Sequence, residues 1–358
     1  MRQSEKNYKR VVIKIGSSLF YSGKTAFRPS VFNNLVGQIT ELIRQEKEIV
    51  IVSSGAIALG MQRLNLKVRP RELPFLQAAA AVGQNALMDY YTRAFKENSI
   101  NCAQVLLTWE DFSERKRYLN AKNTLFTLLK LKSVPVINEN DTVSTDEIKF
   151  GDNDRLSALV SVLINADLLI ILSDVAGLLE KDRKTIVRIV PEINSRIHSL
   201  ACPTDKKTCV GGMVTKIEAA KIAVDSGIPC VIADGQENNI IMHLINNPLA
   251  GGVGTVFLPK NRCLAAKERW IAFGSKPKGK IIVDEGAKLA LFNKKSLLCV
   301  GITSVEGEFD AGDVVSVRDK ENCEFARGRV SLSDKDLDKV KGTRYHKEII
   351  HRDNIVVL

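Results

Sequence analysis

The sequence predicts an α/β fold in which a mostly parallel sheet is sandwiched by helices, followed by a small mixed β domain. Up to about residue 258, short apolar runs alternate with stretches of helical period, as in parallel sheets covered on both faces. After Pro259 come a basic segment and then short strands separated by glycine turns. At 358 residues the chain also exceeds one typical domain. We therefore predict domains at 1–258 and 278–358, joined by a basic linker at 259–277.

Six apolar runs rich in Val and Ile predict the buried strands of the first domain. Between them, helical periodicity predicts helices near 30–45, 75–97, 112–131, 154–165 and 213–226. Because ligands bind beyond the carboxyl ends of parallel strands, functional residues are expected just after these runs. The runs are Val11–Ile15, Ile49–Val52, Ala103–Leu107, Val134–Ile137, Leu168–Leu172 and Cys230–Ala233.

The second domain shows shorter strands and tight turns. Single glycines predict turns at Glu306-Gly307, Ala311-Gly312 and Lys341-Gly342. Together these features indicate a mixed β domain of about 80 residues, within the usual range for a domain. Its predicted strands are Ile281–Val283, Val300–Val305, Val314–Arg318 and Arg327–Val330.

The charge and the apolar stretches of the sequence limit the functions that are possible. The net charge of +11 makes nucleic acid a candidate partner, and much of the excess lies between Lys260 and Lys280. A solvated linker and a segment that binds a polyanion both explain that run, and the linker is favoured. The longest apolar stretch, Leu156–Leu179, contains Asp167, whose charge would be costly in a bilayer, so a buried helix and strand are predicted there.

The seven cysteines are scattered and form no C-x-x-C pair, and the four histidines do not cluster with them. A zinc site or a disulfide framework is therefore not expected, and a reducing cytoplasm fits best. Residues 1–10 are polar and lead directly into a predicted strand, so no signal peptide is expected.

Two segments at strand ends have the chemistry of anion binding. Lys14 lies inside an apolar strand, where its charge is costly unless it meets an anion, and Gly16 lets the backbone approach a phosphate. An edge-strand lysine reaching water is the alternative. Ser54 and Gly55 open an Ala-rich helix, whose N-terminus suits a carboxylate, although an ordinary serine cap explains the same pattern.

Two acidic-amide clusters follow, at Asn138–Asp141 and Gly151–Asp154. They could hold a divalent cation, bind a ligand ammonium or form solvated turns, and their closeness favours ligand binding. The spacing does not fit an EF-hand. Further along, a glycine pair runs into a helix and resembles a phosphate cradle, but no P-loop motif occurs in the chain. The residues of this cradle are Gly211, Gly212, Met213, Val214, Thr215 and Lys216.

Taken together, these segments resemble the amino-acid kinase superfamily, and within it the members that phosphorylate the side-chain carboxylate of glutamate. The part from Ile281 to Val356 resembles the PUA domain that bacterial members append. The chain departs from the usual pattern at Val210, where Thr is common, and in the loop 177–183. The motifs that carry the resemblance are Ser54-Gly55-Ala56-Ile57, Pro135-Val136-Ile137-Asn138-Glu139-Asn140-Asp141, Gly151-Asp152-Asn153-Asp154, Gly211-Gly212-Met213 and Thr215-Lys216.

The resemblance implies roles for individual residues. Lys14 and Lys216 are expected to flank the phosphate chain, with Asp154 holding both ammonium groups. Nucleotide contacts are expected from Gly16, Ser173, Asp174 and the glycine cradle, Gly211 to Lys216. The residues expected to bind the acidic substrate are Ser54, Asn138, Asp141, Asp152 and Asn153.

The resemblance also implies ligands and partners. ATP and L-glutamate are the expected substrates, and proline is the expected feedback inhibitor. Mg²⁺ is the expected cofactor, bridging phosphate oxygens with few protein ligands and several waters, and no residue is named as its ligand. A homo-oligomer is expected. Two rival functions stand beside this one. A kinase for acetylglutamate or aspartate would need a different pocket for the α-nitrogen, whereas Asp141 favours a free ammonium. An RNA-binding or RNA-modifying protein is not favoured, because aromatic residues make up only 6% of the chain.

Overall fold

The structure is a computed structural model that describes residues 8–22, 26–143, 153–201, 212–248, 252–260 and 264–358. The chain divides into two compact units. The first is drawn from Met1–Asp111 and Tyr118–Cys263, and the second from Phe112–Arg117 and Leu264–Leu358.

The described residues before position 264 contain ten strands. They are β1 (Arg10–Ile15), β2 (Tyr21–Ser22), β3 (Ala26–Phe27), β4 (Glu48–Ser53), β5 (Cys102–Leu107), β6 (Val134–Glu139), β7 (Leu168–Ser173), β8 (Ile189–Val190), β9 (Cys230–Asp234) and β10 (Thr255–Phe257). The helices of this part are α1 (Ser17–Phe20), α2 (Pro29–Arg44), α3 (Ala56–Arg63), α4 (Leu73–Lys96), α5 (Trp109–Ser113), α6 (Arg115–Lys130), α7 (Asn153–Leu163), α8 (Ser195–Ala201), α9 (Met213–Asp225) and α10 (Ile240–Asn246).

The first unit is built on an eight-stranded sheet with the order β5-β6-β4-β1-β7-β9-β10-β8. Its pairings are parallel except that of β10 with β9. The six predicted strands are all present in it, so the predicted parallel sheet is confirmed. The structure adds β8 and β10, which are only two and three residues long and therefore show no apolar run that a sequence pattern could detect.

Side chains alternate between the two faces of this sheet, as the period of a strand requires. Val11, Ile13 and Ile15 of β1 join the core cluster that also contains side chains of α2, α4 and α10. The side chain of Lys14 points to the opposite face of the sheet. Helices α7 and α9 pack against each other, α7 also against β7 and α9 also against β9. Lys14 therefore shares its side of the sheet with two helices that begin at Asn153 and Met213.

The second unit contains a five-stranded sheet with the order β12-β11-β13-β14-β15. It is mixed, as predicted, because β11 pairs with β13 in parallel and the other pairs are antiparallel. The predicted turn glycines Gly307, Gly312 and Gly342 have φ of 90, 98 and 72°, which glycine adopts without steric cost. The elements are α11 (Ala266–Arg269), β11 (Gly279–Val283), α12 (Glu285–Phe292), β12 (Ile302–Gly307), β13 (Val314–Arg318), β14 (Glu324–Arg329), α13 (Asp334–Val340) and β15 (Ile355–Val357).

The segment predicted as a basic linker is partly helical. It contains α11 and a π-helical turn, Trp270–Gly274, in which Trp270 and Ile271 are buried. The indole N–H of Trp270 donates a 2.9 Å hydrogen bond to the carbonyl oxygen of Phe112, within the second unit. The boundaries 1–258, 259–277 and 278–358 stay predictions, since compact units and domains need not coincide.

The apolar stretch Leu156–Leu179 forms most of α7, then β7, and both are buried. No helix among the described residues is long and apolar enough to cross a membrane.

Candidate active site

A cavity of about 260 Å³ opens at the carboxyl ends of β1, β4, β6 and β7 in the first unit. This is the edge at which parallel sheets bind ligands. Its walls come from seven separate stretches of the chain. The lining residues are Lys14, Ser17, Ser18, Ser54, Gly55, Ala56, Ile57, Ala58, Arg69, Asn138, Glu139, Asp141, Asn153, Asp154, Ser173, Asp174, Gly212, Thr215 and Lys216.

One carboxylate joins two ammonium groups at the centre of the cavity. Asp154 Oδ1 lies 2.6 Å from Lys14 Nζ, and Asp154 Oδ2 lies 3.1 Å from Lys216 Nζ. The hydroxyl of Thr215 donates a further hydrogen bond of 2.9 Å to Asp154 Oδ2. All three charged side chains are buried, with at most 11% of any of them exposed. The group therefore carries two positive charges and one negative charge out of contact with bulk water.

The environment of Asp154 fixes its ionisation. Burial alone would raise the pKa of this carboxyl, but the charges of Lys14 and Lys216 and the hydrogen bonds from Lys14 and Thr215 outweigh it and hold the pKa below the ordinary value. The carboxylate is therefore ionised at neutral pH, and it holds the two lysines on either side of the same space.

Two glycines shape this side of the cavity. A Cβ at Gly16 would lie 3.1 Å from the carbonyl oxygen of Leu172, which already accepts a 2.9 Å hydrogen bond from the Gly16 amide. Gly212 precedes α9 with φ of 75°, a conformation that favours glycine. Its carbonyl oxygen accepts hydrogen bonds from Thr215 Oγ1 at 3.0 Å and Lys216 Nζ at 3.4 Å. These bonds fix Gly212 to the first turn of α9, from which Lys216 points into the cavity.

The amide of Asn153 organises the other side of the cavity. Its Nδ2 donates to Ser54 Oγ at 2.8 Å, to Asn138 Oδ1 at 2.9 Å and to the carbonyl oxygen of Ser53 at 3.2 Å. Asn138 Oδ1 also accepts from the backbone amide of Glu139. The side chain of Asn153, at the start of α7, thus connects the ends of β4 and β6.

Asn153 Oδ1 and Ser173 Oγ are buried oxygens of cavity-lining residues that have no hydrogen-bond partner among the described residues. An unpaired buried acceptor or hydroxyl costs free energy, about 1–3 kcal/mol, unless a ligand or water satisfies it. Their position in the cavity lining is consistent with contact to a polar ligand.

Asp141 lies at the same side of the cavity. Burial raises the pKa of its carboxyl to about 6, and the nearby charge of Arg69 opposes this rise. Arg69 comes from the loop between α3 and α4, whose sequence carries no motif, and sequence reasoning did not select it. A raised pKa means that bringing a cation to Asp141 would be favourable, because the cation replaces the lost hydration of the carboxylate.

The structure brings most of the predicted site residues into one cavity. Gly16, Met213 and Val214 are adjacent in the chain to lining residues. Asp152, Gly211 and Val210 lie outside the described residues. In the loop 177–183, the carboxylate of Asp182 accepts hydrogen bonds from the amides of Lys184 and Thr185 and from the Thr185 hydroxyl, forming a tight turn. The predicted residues that line the cavity are Lys14, Ser54, Asn138, Asp141, Asn153, Asp154, Ser173, Asp174, Gly212, Thr215 and Lys216.

Sequence comparison gives the family. The sequence profile of the amino acid kinase family matches residues 9–234, which is more than half of the chain. The chain belongs to this family. The profile of the PUA domain matches residues 279–352. Both matches confirm the resemblance seen in the motifs, and the parallel sheet of the first unit is the amino acid kinase fold.

Relatives extend the match to the whole chain. The glutamate 5-kinase of Thermoanaerobacter sp. (strain X514) is 42% identical over 366 residues, covering 98% of both proteins. The glutamate 5-kinase of Caldanaerobacter subterraneus subsp. tengcongensis is 44% identical over 368 residues, again covering 98% of both. Among solved structures, a carbamate kinase from Giardia lamblia bound to AMP-PNP superposes with a TM-score of 0.51. It is 17% identical and covers 70% of this chain and 99% of that one, a likeness of fold.

Proposed function

We propose that this protein transfers the γ-phosphoryl group of ATP to the side-chain carboxylate of L-glutamate, giving L-glutamyl 5-phosphate, the first step of proline synthesis. The observation that carries the proposal is the buried Lys14–Asp154–Lys216 group, which shares one cavity with the polar cluster around Asn153. Full-length similarity to glutamate 5-kinases, at 42–44% identity, supports the choice of substrate.

The chemistry of the acceptor decides what the site must supply. A γ-carboxylate is already ionised at neutral pH, so it needs no general base. The obstacle is repulsion between this anion and the phosphate chain, and enzymes overcome it by positioning the reactants and neutralising their charge. Lys14 and Lys216 are buried on opposite oxygens of Asp154 and both line the cavity, so in the proposal both ammonium groups contact phosphate oxygens. The surplus positive charge of this group favours a polyanion over water.

The cluster around Asn153 is suited to the amino acid. In the proposal, the substrate ammonium is bound by the carboxylate of Asp141 and by Asn153 Oδ1, a buried acceptor with no partner among the described residues. Ser54 and the start of α3 receive the α-carboxylate, since helix N-termini favour anions. This assignment favours free glutamate over an N-acylated acid, which lacks the ammonium charge.

The nucleotide side of the cavity is formed by the ends of β1, β7 and the start of α9. Ser173 is the last residue of β7 and Asp174 follows it, and Asp174 accepts a 2.9 Å hydrogen bond from Ser18. In the proposal these residues and Gly212 to Lys216 contact ATP.

Magnesium is the proposed cofactor. The described residues contain no cluster of three or more His, Cys, Asp or Glu side chains that could hold a metal ion by themselves. Asp154 is engaged by two lysines and Asp174 by Ser18. This arrangement fits a Mg²⁺ ion that arrives on the phosphate oxygens and keeps several waters, as this ion usually does. When bound, it would neutralise charge on the phosphate chain.

Two further properties belong to the proposal. Proline resembles a cyclised glutamate that keeps the α-carboxylate and the ammonium, so we expect it to inhibit by binding near Asp141 and Ser54. A homo-oligomer is proposed from the family resemblance. Sedimentation of the purified protein and inhibition by proline at several glutamate concentrations would test these two points.

A panel of acceptors tests the substrate. ADP release is measured with ATP, Mg²⁺ and, in turn, L-glutamate, L-aspartate and N-acetyl-L-glutamate. We expect glutamate to give the highest kcat/KM. Equal or faster turnover of N-acetylglutamate or aspartate would contradict the substrate assignment and leave the kinase family unaffected.

A further inference from the structure

One face of α4 is directed at the amino-acid side of the cavity, although no residue of α4 lines it. Tyr91 lies on this face with Gln84, seven positions before it, and Gly83, eight positions before it, spacings that fall on one side of a helix. A Cβ at Gly83 would overlap the carbonyl oxygen of Ala56, so the backbones of α3 and α4 touch at this point. Gln84 and Tyr91 each make a polar contact with the end of a strand.

Tyr91 contacts the end of β4. It is fully buried, and its hydroxyl lies 2.9 Å from the hydroxyl of Ser53. Its ring packs against Phe32 at 4.9 Å and Phe95 at 6.3 Å between centroids. Burial raises the pKa of the phenol, against the opposing effect of the Ser53 hydrogen bond, so the hydroxyl stays neutral and protonated. A tyrosine hydroxyl in such apolar surroundings is fixed in direction by its partner.

Ser53 connects Tyr91 to the residues of the cavity. Its hydroxyl lies 3.4 Å from the carbonyl oxygen of Ser54, and its own carbonyl oxygen accepts from Asn153 Nδ2. The next residue, Ser54, accepts the shortest hydrogen bond of Asn153. Gly55, with φ of 108°, then turns the chain into α3. Tyr91 therefore fixes a turn that holds two of the three acceptors of Asn153.

Gln84 supports the third acceptor. Its Nε2 donates a 3.3 Å hydrogen bond to the carbonyl oxygen of Glu139, the residue after Asn138. Its Oε1 accepts from Gln104 of β5 at 3.4 Å. One helix face thus braces both strand ends between which the Asn153 amide is held.

We infer that Tyr91 is a positioning residue for the acidic substrate, acting through Ser53 on Ser54 and Asn153 without touching the substrate. The inference rests on the proposed function and names a determinant of the same subsite. Because the hydrogen bonds from Tyr91 lead through Ser53 to Asn153, which also binds Ser54, its hydroxyl should matter for binding of the acid and little for binding of ATP.

The test uses Tyr91→Phe, which removes only the hydroxyl. The loss of one hydrogen bond that orients a binding group should raise the KM for the acid by about three- to tenfold. The kcat and the KM for ATP should stay within about twofold of the wild-type values. A general weakening of the fold would change these two constants as well. Kinetics are measured with the acid that the wild-type protein phosphorylates fastest. If that acid is not glutamate, the proposed function fails, while the role of Tyr91 is still tested.

Two further variants separate positioning from stability. Tyr118→Phe removes a hydroxyl from another buried tyrosine of the first unit, outside the cavity lining, and should leave the KM for the acid unchanged. In a double-mutant cycle, Tyr91→Phe added to Ser53→Ala should cause little further rise in KM, because the two act through one bond. Tyr91→Phe with an unchanged KM and a lowered melting temperature would overturn the inference. Fully additive effects in the cycle would overturn the route through Ser53.

Discussion

Lys14 and Asp154 form a buried ion pair, with 2.6 Å between Nζ and Oδ1, although they belong to β1 and α7. The second oxygen of Asp154 is shared by Lys216 and Thr215, so the carboxylate cannot neutralise both lysines. A buried surplus of positive charge is costly unless an anion offsets it. This relationship is the basis for our proposal that a phosphate chain binds in the cavity.

Removing either lysine should affect the rate of phosphoryl transfer. For Lys14→Ala and Lys216→Ala we expect kcat to fall by about 10²–10³-fold, as when one donor to a developing anion is lost. Lys221→Ala is a matched control, because Lys221 lies on α9 but its side chain is 44% exposed and pairs with Asp225. Steady-state kinetics measure the effect. A raised KM for ATP with an unchanged kcat would mean that these lysines bind only the ground state.

Asp154→Asn should destabilise the folded protein, because it leaves two buried ammonium groups without their counter-ion. Breaking a buried ion pair in this way costs about 3–5 kcal/mol. The folded-state pKa of Asp154 is lowered, so its contribution is present above its ordinary pKa and is lost as the pH falls through the folded value. Urea unfolding should therefore show the largest difference between wild type and variant near pH 7, shrinking below about pH 4. A difference that does not depend on pH would refute this explanation.

Glutamate binding should depend on pH through Asp141. Its pKa is raised to about 6, so the carboxylate that would bind the ammonium is protonated as the pH falls below that value. The KM for glutamate should rise between pH 7 and pH 5, while the KM for ATP should change less. In Asp141→Asn the KM for glutamate should be high throughout and should lose this pH dependence. Persistence of the same profile in the variant would assign it to another group.

Close packing of α3 on α4 should make Gly60 intolerant of a side chain. A Cβ at Gly60 would overlap the backbone of Ala79, so Gly60→Ala must push the helices apart and should cost more than about 2 kcal/mol of stability. Gly37→Ala is the matched control, since Gly37 lies on the exposed side of α2 with nothing within 4 Å of the added Cβ. This variant should gain roughly 0.5–1 kcal/mol, because alanine favours a helix interior. Equal unfolding midpoints for the two variants would contradict the packing described.

The sequence patterns predicted the parallel sheet because each of its long strands is a local apolar run, and local runs are visible without knowing the fold. They also placed Lys14, Asp141 and Asp154 at strand or helix ends, where parallel sheets bind ligands. The predicted helix near 112–131 is present as α6, preceded by the separate short α5. The roles of the catalytic and binding residues stay predictions until they are tested.

What the patterns missed depends on contacts between distant residues. Tyr91 lies at helical spacing from Leu87 and Phe95, so the sequence predicts an ordinary core residue. Its hydrogen bond to Ser53 arises only when α4 packs beside β4. Arg69 lies in a polar loop that resembles any solvated loop. Membership of Phe112–Arg117 in the second unit follows from long-range packing, including the Trp270 hydrogen bond, and no local signal marks it.

Trapping the product tests the central claim most directly. The protein is incubated with ATP, Mg²⁺, L-glutamate and hydroxylamine, which converts an acyl phosphate into a hydroxamate, and the product is analysed by mass spectrometry and by comparison with synthetic standards. The proposed function predicts γ-glutamyl hydroxamate that requires both ATP and glutamate and that falls by about 10²–10³-fold in Lys216→Ala. ADP formation without hydroxamate, or formation of the α-hydroxamate, would contradict transfer to the side-chain carboxylate.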